Sequence, residues 1–151
     1  MAKTTTEELA KRRKLLVEFF NTAPIKKTFG MELSYDDEGS AVFEMPYNSG
    51  LDHFLGGIHG GVISTLLDVA GWFTAAAYYD CWIATVDLNV KLLLWAEKEH
   101  LTARGRILRT GSKISAAEME VRGEDGRLIA TGSGTFFVTD QPLETRTADK
   151  S

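Results

Sequence analysis

The sequence predicts one α+β domain in which an antiparallel sheet of about six strands surrounds a single long helix. Three observations point there. His59 to Tyr79 has the length of a helix and is apolar on nearly every side, the mark of a helix buried in the middle of a domain. Strand-like segments follow it with no further helix between them, so nothing demands the parallel crossovers of repeated strand–helix units. The chain of 151 residues, 44% hydrophobic and 25% charged, is long enough for one core and short for two.

The elements follow in chain order. Residues 6–21 read as an N-terminal helix: Thr5 or Thr6 caps it, Glu7 and Glu8 suit its positive end, and Leu9, Leu15, Leu16, Phe19 and Phe20 form its apolar stripe. Pro24 ends it. Met31 to Tyr35 and Ser40 to Met45 read as strands around the turn Asp36-Asp37-Glu38-Gly39, and Pro46 limits further pairing. Tyr47 to Ile58 is irregular and glycine-rich. After the long helix come strands over Cys81–Trp95, Leu101–Arg109, Lys113–Arg122 and Arg127–Val138, the last two joined by the hairpin signal Gly123-Glu124-Asp125-Gly126. Residues 1–139 thus make the domain, and 140–151, with Pro142, a polar and loose tail. No internal repeat is visible.

Composition excludes several classes of function. A net charge of −4 and a pI near 5.4 argue against a nucleic-acid partner, which calls for a basic surface. The single Cys81 cannot form an intramolecular disulfide and reads as a buried structural thiol. The start, MAKTTTEELAKRRK, has no apolar signal-peptide core, and the uncharged run Val69–Tyr79 falls short of the ~20 residues of a membrane span. A cytoplasmic protein with no membrane contact is expected. His53, His59 and His100 lack zinc-site spacing, and the glycines match neither a Walker loop nor a dinucleotide fingerprint, so neither metal nor cofactor is expected. Ser133 sits in a strand without the strained turn of a nucleophile elbow.

The chemistry concentrates in GGIHGGVISTLLDVAGWF, residues 56–73. Gly60 and Gly61 stand where a helix begins, with unpaired N–H groups and a favourable dipole for negative charge. They read either as an oxyanion site or as a tight turn feeding a packed helix. Asp68 is the one charge in an apolar run, so it either has a task or lies on a narrow solvent-facing strip with Ser64 and Trp72.

These residues resemble the hot-dog thioesterases of the phenylacetate-pathway (PaaI-like) type. The likeness runs from Phe19-Phe20-Asn21-Thr22-Ala23-Pro24 and Phe29-Gly30-Met31 through the His59-Gly60-Gly61 motif and Leu67-Asp68 to Thr85-Val86-Asp87-Leu88-Asn89. It implies a hot-dog fold, a long helix wrapped by an antiparallel sheet, with acyl-coenzyme A as substrate and active sites between subunits of a homodimer or dimer of dimers. Carried over, the Gly61 N–H polarises the thioester carbonyl and His59 orients the loop or contacts the carbonyl side. Asp68 acts as general base or nucleophile, and Thr85 holds water near it. His53 stands where relatives usually carry a water-binding Asn.

The turn Arg109-Thr110-Gly111-Ser112-Lys113 either offers donors for the coenzyme A phosphates or is a surface hairpin with routine charges, and Gly60 is expected to line the substrate site as well. Tyr47, Phe54, Leu55, Trp72 and Phe73 are acyl-pocket walls or simply core. Geometry independently favours two chains per site. Gly61 and Asp68, seven residues apart on one helix, are separated by about 10.5 Å, too far for both to reach one carbonyl. The competing readings are a hydratase or dehydratase on the same fold, and a non-catalytic acyl-CoA binder.

Overall fold

A computed structural model describes residues 4–143. The first helix, α1, spans Thr6–Asn21 and opens on a reciprocal cap. Thr5 Oγ1 accepts the Glu8 N–H at 3.2 Å, while the Glu8 carboxylate accepts the Thr5 N–H at 2.7 Å. Pro24 does more than stop the chain: it occupies the first turn of a second helix, α2 (Pro24–Phe29), where its missing N–H costs nothing.

Six strands follow: β1 (Glu32–Tyr35), β2 (Ala41–Met45), β3 (Cys81–Leu92), β4 (Leu101–Thr110), β5 (Ile114–Arg122) and β6 (Leu128–Pro142). They form one sheet in the order β1-β2-β4-β5-β6-β3, every pairing antiparallel. The long helix α3 (Gly60–Ala76) lies across its inner face, with Leu66, Leu67 and Ala70 fully buried there. The contact with β4 is close enough to require glycine. A Cβ at Gly105 would stand 2.3 Å from the Ala70 carbonyl oxygen. Thr74, on the same helix, accepts the Ala41 N–H through its hydroxyl at 2.9 Å and satisfies the start of β2. Helix α1 closes the far end of α3 through edge-on contacts among Phe20, Phe43 and Phe73, with centroids 5.1–5.5 Å apart.

Helix α3 ends at Ala76 rather than Tyr79, several strand ends move by one residue, and two further boundaries differ from the sequence reading. Strand β3 stops at Leu92 rather than Trp95, because the N–H groups of Leu93 and Leu94 both turn to the Ile129 carbonyl, at 2.8 and 3.1 Å. Asp140 to Pro142 are not a loose tail. They extend β6, with Pro142 opposite Cys81, and Leu143 is buried with its N–H on the Asp80 carbonyl. The remainder of the expected tail, 144–151, lies outside the described residues. No helix among the described residues is long and apolar enough to cross a membrane.

Candidate active site

His59 builds the entrance to α3. It is the N-cap, with extended backbone, and its Nδ1 accepts the Gly61 N–H at 2.8 Å. Its carbonyl takes the N–H groups of Val62 and Ile63, and its own N–H goes to the Leu51 carbonyl at 3.0 Å. An imidazole nitrogen that accepts carries no proton, so this bond assigns the proton to Nε2, a donor on an exposed ring. That accounting leaves one N–H of the first turn open. Among the described residues, the Gly60 N–H has no hydrogen-bond partner.

The expectation that Gly61 is the oxyanion donor therefore does not fit, since its N–H is committed to the imidazole. Gly60, expected only to line the substrate site, presents the free donor. A Cβ there would stand 2.7 Å from Leu92 Cδ1, so glycine is what lets another group approach this N–H.

Asp68 lies two turns further along α3. Thr85 donates its hydroxyl to Asp68 Oδ1 at 2.8 Å. Burial pushes the Asp68 carboxyl above the ordinary carboxylate range, and the Thr85 bond pulls it only part of the way back. Alternation in β3 does not by itself deliver Thr85 to that place. Leu88 and Val90 pack inward and Asn89 lies opposite the exposed Ser133, so strict alternation would send Thr85 outward too. Instead the register slips by one residue: Thr85 pairs with the buried Phe136 and Asp87 with Thr135, leaving Val86 as a bulge. The bulge brings Thr85 round to the helix.

The all-round burial expected of α3 is incomplete in the single chain. Ser64, Asp68 and Trp72 lie on one half-buried strip, flanked by Thr65 and Val69, beside the edge strand β3. Trp72, half-buried, is held in one orientation. Its Nε1–H donates to the Ile83 carbonyl at 2.9 Å and its ring packs on Phe73 and Trp82. His53 makes no hydrogen bond to Asp68 or Thr85 among the described residues. Its Nδ1 accepts the Leu55 N–H at 3.2 Å, and its ring meets Trp95 edge-on at 4.7 Å. Sequence reading overlooked Trp95, and also Asp52, which accepts the Tyr47 hydroxyl at 2.5 Å and ties down the loop before His53.

The turn after β4 lies at the opposite end of α3 from the glycines. The Tyr79 hydroxyl holds the Gly111 carbonyl at 2.8 Å, and Ser112 is exposed. Arg109 and Lys113 are exposed, and neither is paired with an acidic side chain among the described residues. One chain thus does not bring this turn to Gly60. A groove of about 440 Å³ opens on the outer face of the sheet among Asn89, Arg104, Arg106 and Glu118, and includes none of the α3 residues above. Cys81, at the start of β3, is partly buried, and burial and the Asp80 charge push its thiol up.

A free helix N-terminal N–H and a carboxylate of raised basicity are the two groups that hydrolysis of an activated carbonyl needs. The thioesterase superfamily model matches residues 55–130, which contain all of them. The chain belongs to that superfamily and is a thioester hydrolase of the hot-dog fold. Within it, a candidate esterase of Saccharolobus solfataricus is 30% identical over 127 residues, covering 83% of this chain and 91% of that one. The medium/long-chain acyl-CoA thioesterase YigI of Escherichia coli is 29% identical over 96 residues, 54% of this chain and 62% of that one. The PaaI protein from the Escherichia coli phenylacetic acid degradation operon superposes with a TM-score of 0.80 at 16% identity, covering 92% of this chain and 99% of that one.

Proposed function

We propose that this protein hydrolyses acyl-coenzyme A to the free acid and coenzyme A, at sites each built from two copies of the chain. One observation carries the reading. The free N–H of Gly60 and the carboxylate of Asp68 lie on one helix eight residues apart, about 12 Å at helical rise. A carbonyl oxygen about 3 Å from its donor and a carbonyl carbon about 3–3.5 Å from the attacking oxygen cannot both be met across that gap. Two chains packed with α3 antiparallel close it, setting Gly60 of one against Asp68 of the other. The open Ser64–Asp68–Trp72 strip and the unpaired edge of β3 are the surfaces such packing would cover. The same two-fold carries the Arg109–Lys113 turn, at the far end of α3, toward the partner's Gly60, where the phosphates need cations.

Asp68 then acts as the base or nucleophile that brings oxygen to the carbonyl carbon, with Thr85 fixing its carboxylate. The Gly60 N–H and the His59 Nε2–H receive the charge that develops on the carbonyl oxygen, and collapse of the tetrahedral species breaks the C–S bond and expels the coenzyme A thiolate. With Asp68 as base, the oxygen comes from water, whose proton passes by way of Asp68 to the thiolate; with Asp68 as nucleophile, the acyl-Asp68 anhydride is then cleaved by water to the free acid and the Asp68 carboxylate. His53 supports the loop through Trp95 instead of holding water. His53→Asn and His53→Ala should therefore differ little in turnover, and a loss confined to the alanine variant would restore the water-binding role.

The decisive test is complementation. Asp68→Asn and Gly60→Val chains, each nearly inactive alone, are unfolded together in equal amounts and refolded. Random pairing makes about half the dimers mixed, each with one intact and one doubly damaged site. About a quarter of wild-type coenzyme A release, read with a thiol reagent, should return. Mixed dimers without recovery would place both groups in one chain. Wild-type binding of acyl-CoA with no thiol release would make the protein a binder.

A further inference from the structure

Strand β3, at the edge of the sheet, touches both groups of the proposed site. A Cβ at Gly60 would stand 2.7 Å from Leu92 Cδ1, and the Thr85 hydroxyl is bonded to Asp68 at 2.8 Å. A two-fold that sets Gly60 of one copy against Asp68 of the other therefore sets Leu92 of one β3 opposite Thr85 of the other. Thr85 and Leu92 are seven residues apart in sequence, with their midpoint between Leu88 and Asn89. An axis there would face inward side chains with outward ones, which an antiparallel pair does not allow. The Val86 bulge removes the conflict. The partners of Thr85 and Leu92 on β6, Phe136 and Ala130, are only six residues apart, and their midpoint, Ser133, faces Asn89. Asn89 is thus the residue of β3 that can face itself.

We propose that two copies of this chain join along their β3 edges with Asn89 on the two-fold axis, each Asp87 pairing with Lys91 of the other copy. This rests on the two-copy site above and fixes which residues meet there. Asp87, Asn89 and Lys91 project from the outer face of β3, opposite Thr135, Ser133 and Thr131, and all three are exposed. Neither Asp87 nor Lys91 is in an ion pair among the described residues. They flank Asn89 at equal steps, so a single two-fold forms the pair twice. On the inner row Leu88 meets Val90, two half-buried side chains that already pack against the core. Directly opposed unlike charges favour a pairing, and like charges oppose it. An axis moved to Leu88 or Val90 would leave Asp87 and Lys91 opposite uncharged residues and would part Thr85 from Leu92. The two charge pairs thus hold the strands in the one register that completes the site, and they disfavour a chain whose edge lacks the same order of charges.

Exchanging the charges tests this by mass, independently of turnover. Asp87→Lys alone sets lysine against lysine twice, and Lys91→Asp alone sets aspartate against aspartate twice. Each should weaken its own dimer about 10-fold or more, by light scattering on dilution, with circular dichroism unchanged. Unfolded together and refolded, the two variants complement each other. About nine-tenths of their dimers should then be mixed by native mass spectrometry, against about half for random pairing. The Asp87→Lys/Lys91→Asp chain should dimerise within about threefold of wild type. In a Cys81→Ser background, Asn89→Cys should give a disulfide-linked dimer on mild oxidation, since opposed residues have Cα atoms about 4.5–5.5 Å apart. Ser133→Cys, one strand further from the axis and so about 14 Å from its counterpart, should not. Single variants that dimerise like wild type or mix at random overturn the register and leave the two-copy site standing, as does an Asn89→Cys chain that stays unlinked. A wild-type monomer overturns both. Mixed and cross-linked dimers that release no thiol from acyl-CoA uphold the register and refute only the acyl-CoA reading.

Discussion

Burial raises the Asp68 carboxyl above its ordinary range, and one hydrogen bond from Thr85 offsets only part of that. The consequence for stability has a definite sign. A carboxyl whose folded pKa is raised keeps its proton in the native state where the unfolded chain has lost it. Its contribution is therefore fully present below the unfolded value near 4 and is lost as pH rises through the folded value. At pH 7, well above the unfolded value, the raised Asp68 carboxyl is a net cost to folding. Asp68→Asn should melt higher than wild type at pH 7, and the two melting temperatures should converge as pH falls toward 4. Turnover should fall at least ~10²-fold in the same variant. Thr85→Val should move the acid limb of the kcat/KM profile to higher pH, because the bond it removes favours the ionised form, and Thr85→Ser should leave the limb in place. An unmoved limb in Thr85→Val would detach Asp68 from the rate.

At the scale of the element, the entrance of α3 divides its two glycines by a capping rule. A side-chain acceptor at the N-cap takes the N–H two or three residues on, which from His59 is Gly61, so the free donor belongs to Gly60. That signal was present in the sequence, since it needs only His59 as the cap. His59→Asn should keep a cap but remove the Nε2–H. Its melting temperature should stay near wild type while kcat falls about tenfold or more. His59→Ala should lose about 1 kcal/mol of stability as well. Equal melting temperatures for the two variants would show that the imidazole does not cap the helix. The β3 bulge had no such signal: the alternation of Val86, Leu88, Val90 and Leu92 points Thr85 outward, and only pairing with β6 turns it in.

For the whole molecule, the edge position of β3 and the open strip of α3 predict a mass about twice the 16.7 kDa of one chain, or four times if dimers pair, by light scattering. Val86 is 58% exposed on that edge. A buried unpaired carboxylate at an interface is costly, so Val86→Asp should yield a folded monomer, helical by circular dichroism, with turnover reduced ~10²-fold or more. A fully active monomer would show that one chain completes the site.

Local pattern and end chemistry determined much of this protein before any fold was in hand. Thr5 and Glu8 fixed the start of α1, Gly123 to Gly126 the last hairpin, and the uncharged run around Asp68 the helix that carries the chemistry, because caps, turns and periodicity act within a few residues. Tertiary structure alone decided what depends on partners far along the chain. It drew Asp140–Pro142 into β6 opposite Cys81, placed the Arg109–Lys113 turn under Tyr79 at the far end of α3, and tied up Trp72 with Ile83. It also turned Thr85 to Asp68 by giving Val86 no residue to face. Register across a sheet is set by the summed packing and hydrogen bonding of the paired strands. No single segment holds that information.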